Sequence, residues 1–384
     1  MNFEGLYSEF AFAGNPIRVI DSQHANNSGS AAEYSVSMGG KVVYRGRYSP
    51  SADIVVSDIA EAYAPYLPDA AASGEDPLIL IESAAELSLR TLKLELESLE
   101  EIYSAIVFPG GVSRQNFRTY ISMETDAFRA RFCNYHWNFF LSTRTPDNTL
   151  VIPEDEMHPL FFILDKMEEI EIRHNVDSSV IRYQPERGVY ALDIQALRRR
   201  FMREFNVLPS VFDVYVSRDR ACRIVVERSA PVAESYRLKF RNSFDVYEII
   251  TVHGELTAKP EENSDDSREV KTYDPVVDDY TSGRLRGNVG ETLSASIVVS
   301  GTSRLKFAMD MLESEEVWLL DGYEDPVRVI PRQNGLSFAT NHLEPIKLMF
   351  EMEVCEQDQR FMPEVKHNNG SNGIFTEEFT EEFK

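Results

Sequence analysis

Residues 237–260 read RLKFRNSFDVYEIITVHGELTAKP; beyond an acidic spacer, residues 283–301 read GRLRGNVGETLSASIVVSG and residues 303–331 read SRLKFAMDMLESEEVWLLDGYEDPVRVIP. Short β-branched and aromatic runs separated by Asn, Gly, Asp and Pro predict strands joined by turns. One helix interrupts them, where Leu305, Met309 and Leu312 share a face. With PIKLMFEMEV further on, residues 236–362 read as a C-terminal β-sandwich or open antiparallel sheet. Residues 261–279 (EENSDDSREVKTYDPVVDD) have little apolar area to bury and read as a long acidic hairpin loop or excursion outside that core.

Working outward, residues 1–74 read as a small β domain, with Met38-Gly39-Gly40-Lys41 as a hairpin turn. The Ala/Ser/Gly-rich piece 69–76 reads as a linker. Residues 77–231 form a central β-rich region. In it Leu92, Leu94 and Leu96 alternate with Lys93, Glu95 and Glu97, the pattern of a half-buried strand. The run FFILDKMEEIEIRHN fits a strand or a helix. Residues 193–205 are the best helix: Asp193 caps it, and Ile194, Leu197, Phe201 and Phe205 make a stripe. The fold class expected is therefore mainly β, built of β-sandwich modules with a few short helices, and multidomain; 384 residues suit two or three domains of roughly 100 to 200 residues.

The formal net charge of −24 disfavours direct binding to nucleic acid or to anionic membranes. No apolar stretch approaches the roughly 18 residues of a membrane span, and the N-terminus lacks a basic segment followed by an apolar run. Cys133, Cys222 and Cys355 have no disulfide or zinc spacing, and the seven histidines are scattered. Nucleophile-elbow, phosphate-loop, dinucleotide and HExxH motifs are missing, so no catalytic, cofactor or metal residue is assigned. Glu261, Glu262, Asp265, Asp266 and Glu269 lack the spacing of a calcium loop and read as a solvated acidic segment. Tyr135, His136, Trp137, Phe139 and Phe140 fit core packing better than a sugar-stacking platform, since strand side chains alternate between faces.

Two features read as contact surfaces. Arg198, Arg199, Arg200 and Arg203 form the one concentrated basic patch, largely opposite the apolar stripe of helix 193–205: a solvated face, or a contact for a neighbour's carboxylates. Residues 363–384 read as a flexible C-terminal tail, in which Phe375, Phe379 and Phe383 make a stripe if helical and could dock in a partner's groove.

The RNSFDVYEIITVHGEL strand pair and the LKFAMDMLESEEVWLLDGYEDPVRVIP unit, with a weaker echo in FAFAGNPIRVI near the start, resemble tail and baseplate structural proteins of tailed bacteriophages and prophages of Bacteroides-like bacteria. The central region carries none of the likeness. The resemblance implies a non-enzymatic virion protein that assembles into a cyclic homo-oligomer at the distal tail or baseplate. It also implies contacts with tube, hub or fibre proteins, synthesis in the bacterial cytoplasm and residence in the virion tail. The alternatives are a carbohydrate-binding surface module and, third, a glycan-active hydrolase built on a dispersed carboxylate pair.

Overall fold

The structure, a computed structural model, describes residues 2–4, 10–16, 18–20, 32–38, 41–48, 54–55, 76–81, 91–96, 101–108, 110–113, 118, 139–144, 148–174, 179–229, 234–260, 269–284, 289–299, 301–323, 325–332 and 345–355. The chain is mainly β, in several sheets. It divides into two compact units: Met1–Thr257 with Thr292–Cys355, and a smaller one whose described residues lie within Ala258–Glu291.

In the first unit, β1 (Asn2–Glu4), β3 (Arg18–Ile20) and β6 (Ile54–Val55) form one small sheet. A second contains β2 (Phe10–Phe12), β4 (Ala32–Met38), β5 (Lys41–Tyr48), β8 (Thr91–Leu96) and β9 (Glu101–Phe108), in the order β2-β9-β8-β4-β5. The pair Met38↔Lys41 closes the expected β4–β5 hairpin, and the alternating LKLEL run is β8. This sheet takes strands from both sides of residues 69–76.

The central strands make two sheets. β10 (Thr149–Pro153) runs parallel to β16 (Asp219–Glu227), which continues antiparallel through β15 (Val211–Val216), β12 (Ile170–His174) and β13 (Val180–Tyr183). Facing them, β11 (Pro159–Leu164) pairs with β14 (Gly188–Asp193), and β14 with β7 (Leu78–Leu80). β11 and β14 are buried on both faces. Leu160, Phe162, Leu164, Tyr190 and Leu192 point into the central core, whereas Phe161, Ile163, Val189 and Ala191 point into a second core shared with Phe12, Phe108, Phe244 and Val246. A strand buried on both faces loses its polar alternation. That is why FFILDKMEEIEIRHN has no clean period; it holds the end of β11 and all of β12.

Helix α1 (Ile194–Phe205) closes the central core with Ile194, Ala196, Leu197 and Phe201. The Asp193 carboxylate accepts from the Ala196 N–H at 2.9 Å, and Asn206 ends the helix in the left-handed region.

Residues 235–354 depart from the expected sandwich. β17 (Ser235–Arg241), β18 (Tyr247–Pro260), β21 (Val289–Val299), β22 (Val317–Leu319), β23 (Val327–Arg332) and β24 (Ile346–Val354) close into a barrel in the order β17-β18-β21-β24-β23-β22. Both arrangements need the same inward-outward alternation, visible in buried Leu348, Phe350, Met352 and Val354, so the sequence pattern does not separate them. Closure comes from the long strands: β18 pairs with β17 along one part, and Gly254 farther on lets β21 approach so closely that an added Cβ would lie 2.1 Å from the Ser294 carbonyl. Helix α2 (Gly301–Glu313) packs Leu305, Phe307, Ala308, Met311 and Leu312 into the barrel core.

In the smaller unit, β19 (Glu269–Asp274) and β20 (Asp279–Arg284) pair antiparallel as a two-stranded hairpin. The acidic excursion therefore has secondary structure of its own. Its turn leaves Val276 90% and Val277 65% exposed, with Tyr273 and Tyr280 also exposed and in edge-to-face contact at 5.5 Å.

Candidate functional site

The connection between β17 and β18 builds one wall of a cleft of about 710 Å³. Asn242 shapes that turn: its side-chain oxygen accepts from the N–H groups of Phe244 (2.9 Å) and Val246 (3.3 Å), and Asp245 adopts a positive φ of 67°. Asn is suited to a role of this kind because its short amide imitates a backbone turn. Phe244 plugs into the second core against Phe12 at 5.8 Å. Gly110, with φ +77°, sits so close to Ser243 and Phe244 that a Cβ there would lie 2.5 Å from backbone atoms, and Gly111 N–H donates to the Ser243 carbonyl at 2.8 Å. The N-terminal sheet is thereby seated on the barrel turn. The opposite wall is Asp310 and Glu313 of α2, the link Ser314–Glu316, and Arg328 of β23.

The carboxylates of the cleft differ in character. Glu316 accepts from Trp318 Nε1 at 2.8 Å and from the Tyr247 hydroxyl at 2.9 Å, and pairs with Arg241 Nε. Burial pushes its carboxyl up, but the bonds from Arg241, Trp318 and Tyr247 outweigh it and hold Glu316 below the usual range. Asp245 is 4.0 Å from Arg241. Burial raises its carboxyl to about 6 against the pull of Arg241, with the Glu315 and Glu316 charges adding to the rise. Asp310 is also raised, first by burial, although it accepts from Thr143 Oγ1 at 2.7 Å and from Ser243 N–H at 3.1 Å.

Behind the cleft lies a buried polar network joining the central sheets to the barrel. Arg144, 3% exposed, donates to Glu156 at 2.6 Å and to the Ile249 carbonyl, and its guanidinium covers the Phe307 ring at 4.4 Å. Glu156, 1% exposed, also accepts from Arg304 of α2 at 2.9 Å and from the Thr251 N–H of β18 at 2.8 Å. Its carboxyl would rise on burial, but the two guanidinium charges bring it below its ordinary value. Glu248 on β18, equally buried, accepts from Ser142 at 2.6 Å and Asn242 at 2.9 Å, with Arg144 Nε and His158 Nε2 at 3.7 and 3.8 Å. Two buried carboxylates thus face two guanidinium groups, with the N–H groups of Thr143 and Thr251 as further donors, while the buried Arg144 Nε makes no hydrogen bond. The arrangement fixes how the central sheets and the barrel fit together.

The residues singled out from sequence fall into three groups. Arg198 is spent within its own fold, donating to Glu154 at 2.8 Å and to the Pro209 carbonyl at 3.1 Å; Arg200 does the same with Tyr183 and Glu204. Arg199 and Arg203 face solvent. Phe139 and Phe140 are core residues stacked around Phe162, away from any exposed platform. Phe375, Phe379 and Phe383, with Tyr135, His136, Trp137, Cys133, Asp265 and Asp266, lie outside the described residues. The Cys222 thiol is pushed up to about 12 by burial, and Cys355 is exposed. Among the described residues, no three His, Cys, Asp or Glu side chains converge as a cation site requires.

Sequence reading missed both the cleft and the network, since their members come from distant segments; Thr143 and Asp310, for example, are 167 residues apart. The local signal was the Arg241–Tyr247 stretch, which joins the RLKFRNS and VYEIITVHGELT strand candidates and carries no site motif. Comparison of the chain with protein-family models, with curated proteins and with solved structures gave no match.

Proposed function

We propose that this chain is a non-enzymatic structural subunit of a phage or prophage tail, placed at the distal tail or baseplate, where it assembles with copies of itself and contacts tube, hub or fibre proteins. The reading begins from the sequence resemblance. The observation that carries it is the β19–β20 hairpin, which holds two valines and two tyrosines in solvent at the end of a β arm. Such a display costs solubility in a free monomer and is accounted for by a neighbour that covers it. The Arg144–Glu156–Arg304 network supports the same reading, because it ties the central sheets to the barrel without forming a catalytic constellation. Imaging of particles that carry the protein tests it: symmetry-related copies in contact are expected, and a single isolated copy refutes it.

A second reading, hydrolysis of a glycan, is favoured by one observation. Asp245 and Glu316 flank Arg241 in the cleft with their carboxyls shifted in opposite directions, the pattern of an acid and a nucleophile or base. The assembly reading predicts that neither the wild type nor Asp245→Asn releases reducing ends from host-envelope polysaccharide. Release by wild type that Asp245→Asn and Glu316→Gln each abolish would favour the hydrolase.

A further inference from the structure

Two segments of this molecule are complementary in charge, and among the described residues neither is paired with a further strand on its outer edge. The first is strand β5, KVVYRGRY, the outermost strand of its sheet. Among the described residues its outer edge is unpaired, and Lys41, Val42, Tyr44, Arg45 and Arg47 are exposed. In a chain of net charge −24 this strand carries three cations and no acid. Arg47 is paired with Glu33 on β4 at 2.6 Å, whereas Lys41 and Arg45 have no carboxylate partner among the described residues. The second surface is the β19–β20 hairpin, a two-stranded sheet whose outer edges are unpaired among the described residues. Residues 261–284 hold eight carboxylates against three bases, and Asp274, Asp278 and Asp279 surround Val276 and Val277 at the turn. Among the described residues those three aspartates bond only to their own hairpin, accepting from Val276 N–H, the Tyr273 hydroxyl and Tyr280 N–H.

We propose that the acidic β19–β20 hairpin of one copy adds to the basic edge strand β5 of a second copy, a contact that rests on the assembly reading and names its interface. Backbone groups of an edge strand are a template for another strand, and side-chain charge decides which strand is accepted. Here the edge repels a second β5 by its cations, and the hairpin repels a second hairpin by its carboxylates. Only the hairpin-to-edge pairing brings opposite signs together and covers exposed Val and Tyr on both sides. Hairpin and edge are different segments of the chain, so the contact is head-to-tail and propagates into a ring or an open chain. One added hairpin covers less than the roughly 1,200 Å² of a standard interface, so the pairing is weak between two free chains and gains from ring closure.

The test uses the full chain, as a mixture of ¹⁵N-labelled and unlabelled protein treated at high concentration with a zero-length carbodiimide that couples amines to carboxylates. Peptides of mixed isotope joining Lys41 to Asp274, Asp278 or Asp279 are expected, with a yield that falls as salt is raised. Lys41→Glu/Arg45→Glu and Asp278→Lys/Asp279→Lys chains should each lose association about tenfold or more, and an equimolar mixture of the two should regain it, since every contact in the mixture again pairs opposite charges. All four positions are exposed, and unchanged circular dichroism confirms that folding is intact. Association unaltered in either charge variant, or a mixture that recovers nothing, overturns the contact. So do Lys41 cross-links found only within one isotope. Mixed-isotope links confined to other surfaces retire this contact and leave the assembly reading standing; particles holding single, untouching copies retire the reading itself.

Discussion

Glu156 is the residue on which the junction between the central sheets and the barrel depends most. Glu156→Gln leaves buried Arg144 facing a neutral amide, and breaking a buried pair in this way costs about 3 kcal/mol or more; chemical denaturation measures it. Because the folded carboxyl is held below its unfolded value of 4.5, its contribution is present above that pH and is lost as pH falls through the folded value. Wild type should therefore lose stability below about pH 4 more steeply than Glu156→Gln. Asp245 has the opposite sign. Its folded value of about 6 lies above the unfolded 3.8, so its ionisation lowers stability as pH rises through that window. Asp245→Asn keeps the left-handed turn and should raise stability at pH 7 by about 1 kcal/mol, a figure reduced for partial solvent screening, with no gain at pH 3.5. Equal melting temperatures for the two proteins at both pH values would contradict this. Gly254→Ala should cost about 1–3 kcal/mol, since the new methyl meets backbone rather than a movable side chain.

At the scale of elements, legibility in the sequence followed locality. Helix α1 announces itself through Asp193 and the Ile194, Leu197, Phe201 stripe, all within a dozen residues, and Asp193→Ala should lower stability by about 1 kcal/mol. β8 and β24 are readable because one face of each alternates. β11 is not, because Phe161 serves one core while Phe162 serves another. Whether alternating strands form a sandwich or a barrel depends on long-range pairing, such as Leu238↔Leu319, which no window of sequence contains. The cleft and the Glu156 network are illegible for the same reason. The segment was legible as an acidic hairpin loop or excursion, while the bounds of its two strands were not, because TYDPVVDDY is short and carries both turn and strand residues. Replacing residues 261–286 by a short glycine-serine linker should change the stability of the remaining fold by less than about 1 kcal/mol. The same change should abolish self-association if the arm is the contact. A large drop in melting temperature would mean that the hairpin supports the fold.

In the larger unit, the Asn242–Val246 turn meets Phe12 and Gly110 on one side, and Asn242 donates to the Leu141 carbonyl on the other. The apolar cores supply cohesion, and the charged network supplies the alignment of central sheets and barrel. A charged network that ties central sheets to barrel, a net charge of −24, and a hairpin turn with exposed valines fit a subunit that acts by contact. The direct measurement is cryo-electron microscopy of virions or induced prophage particles carrying this chain. The account predicts density for a ring of symmetry-related copies, each with its 269–284 hairpin covered by a neighbour. Particles that lack the protein, or hold it as one copy with the hairpin in solvent, would contradict it.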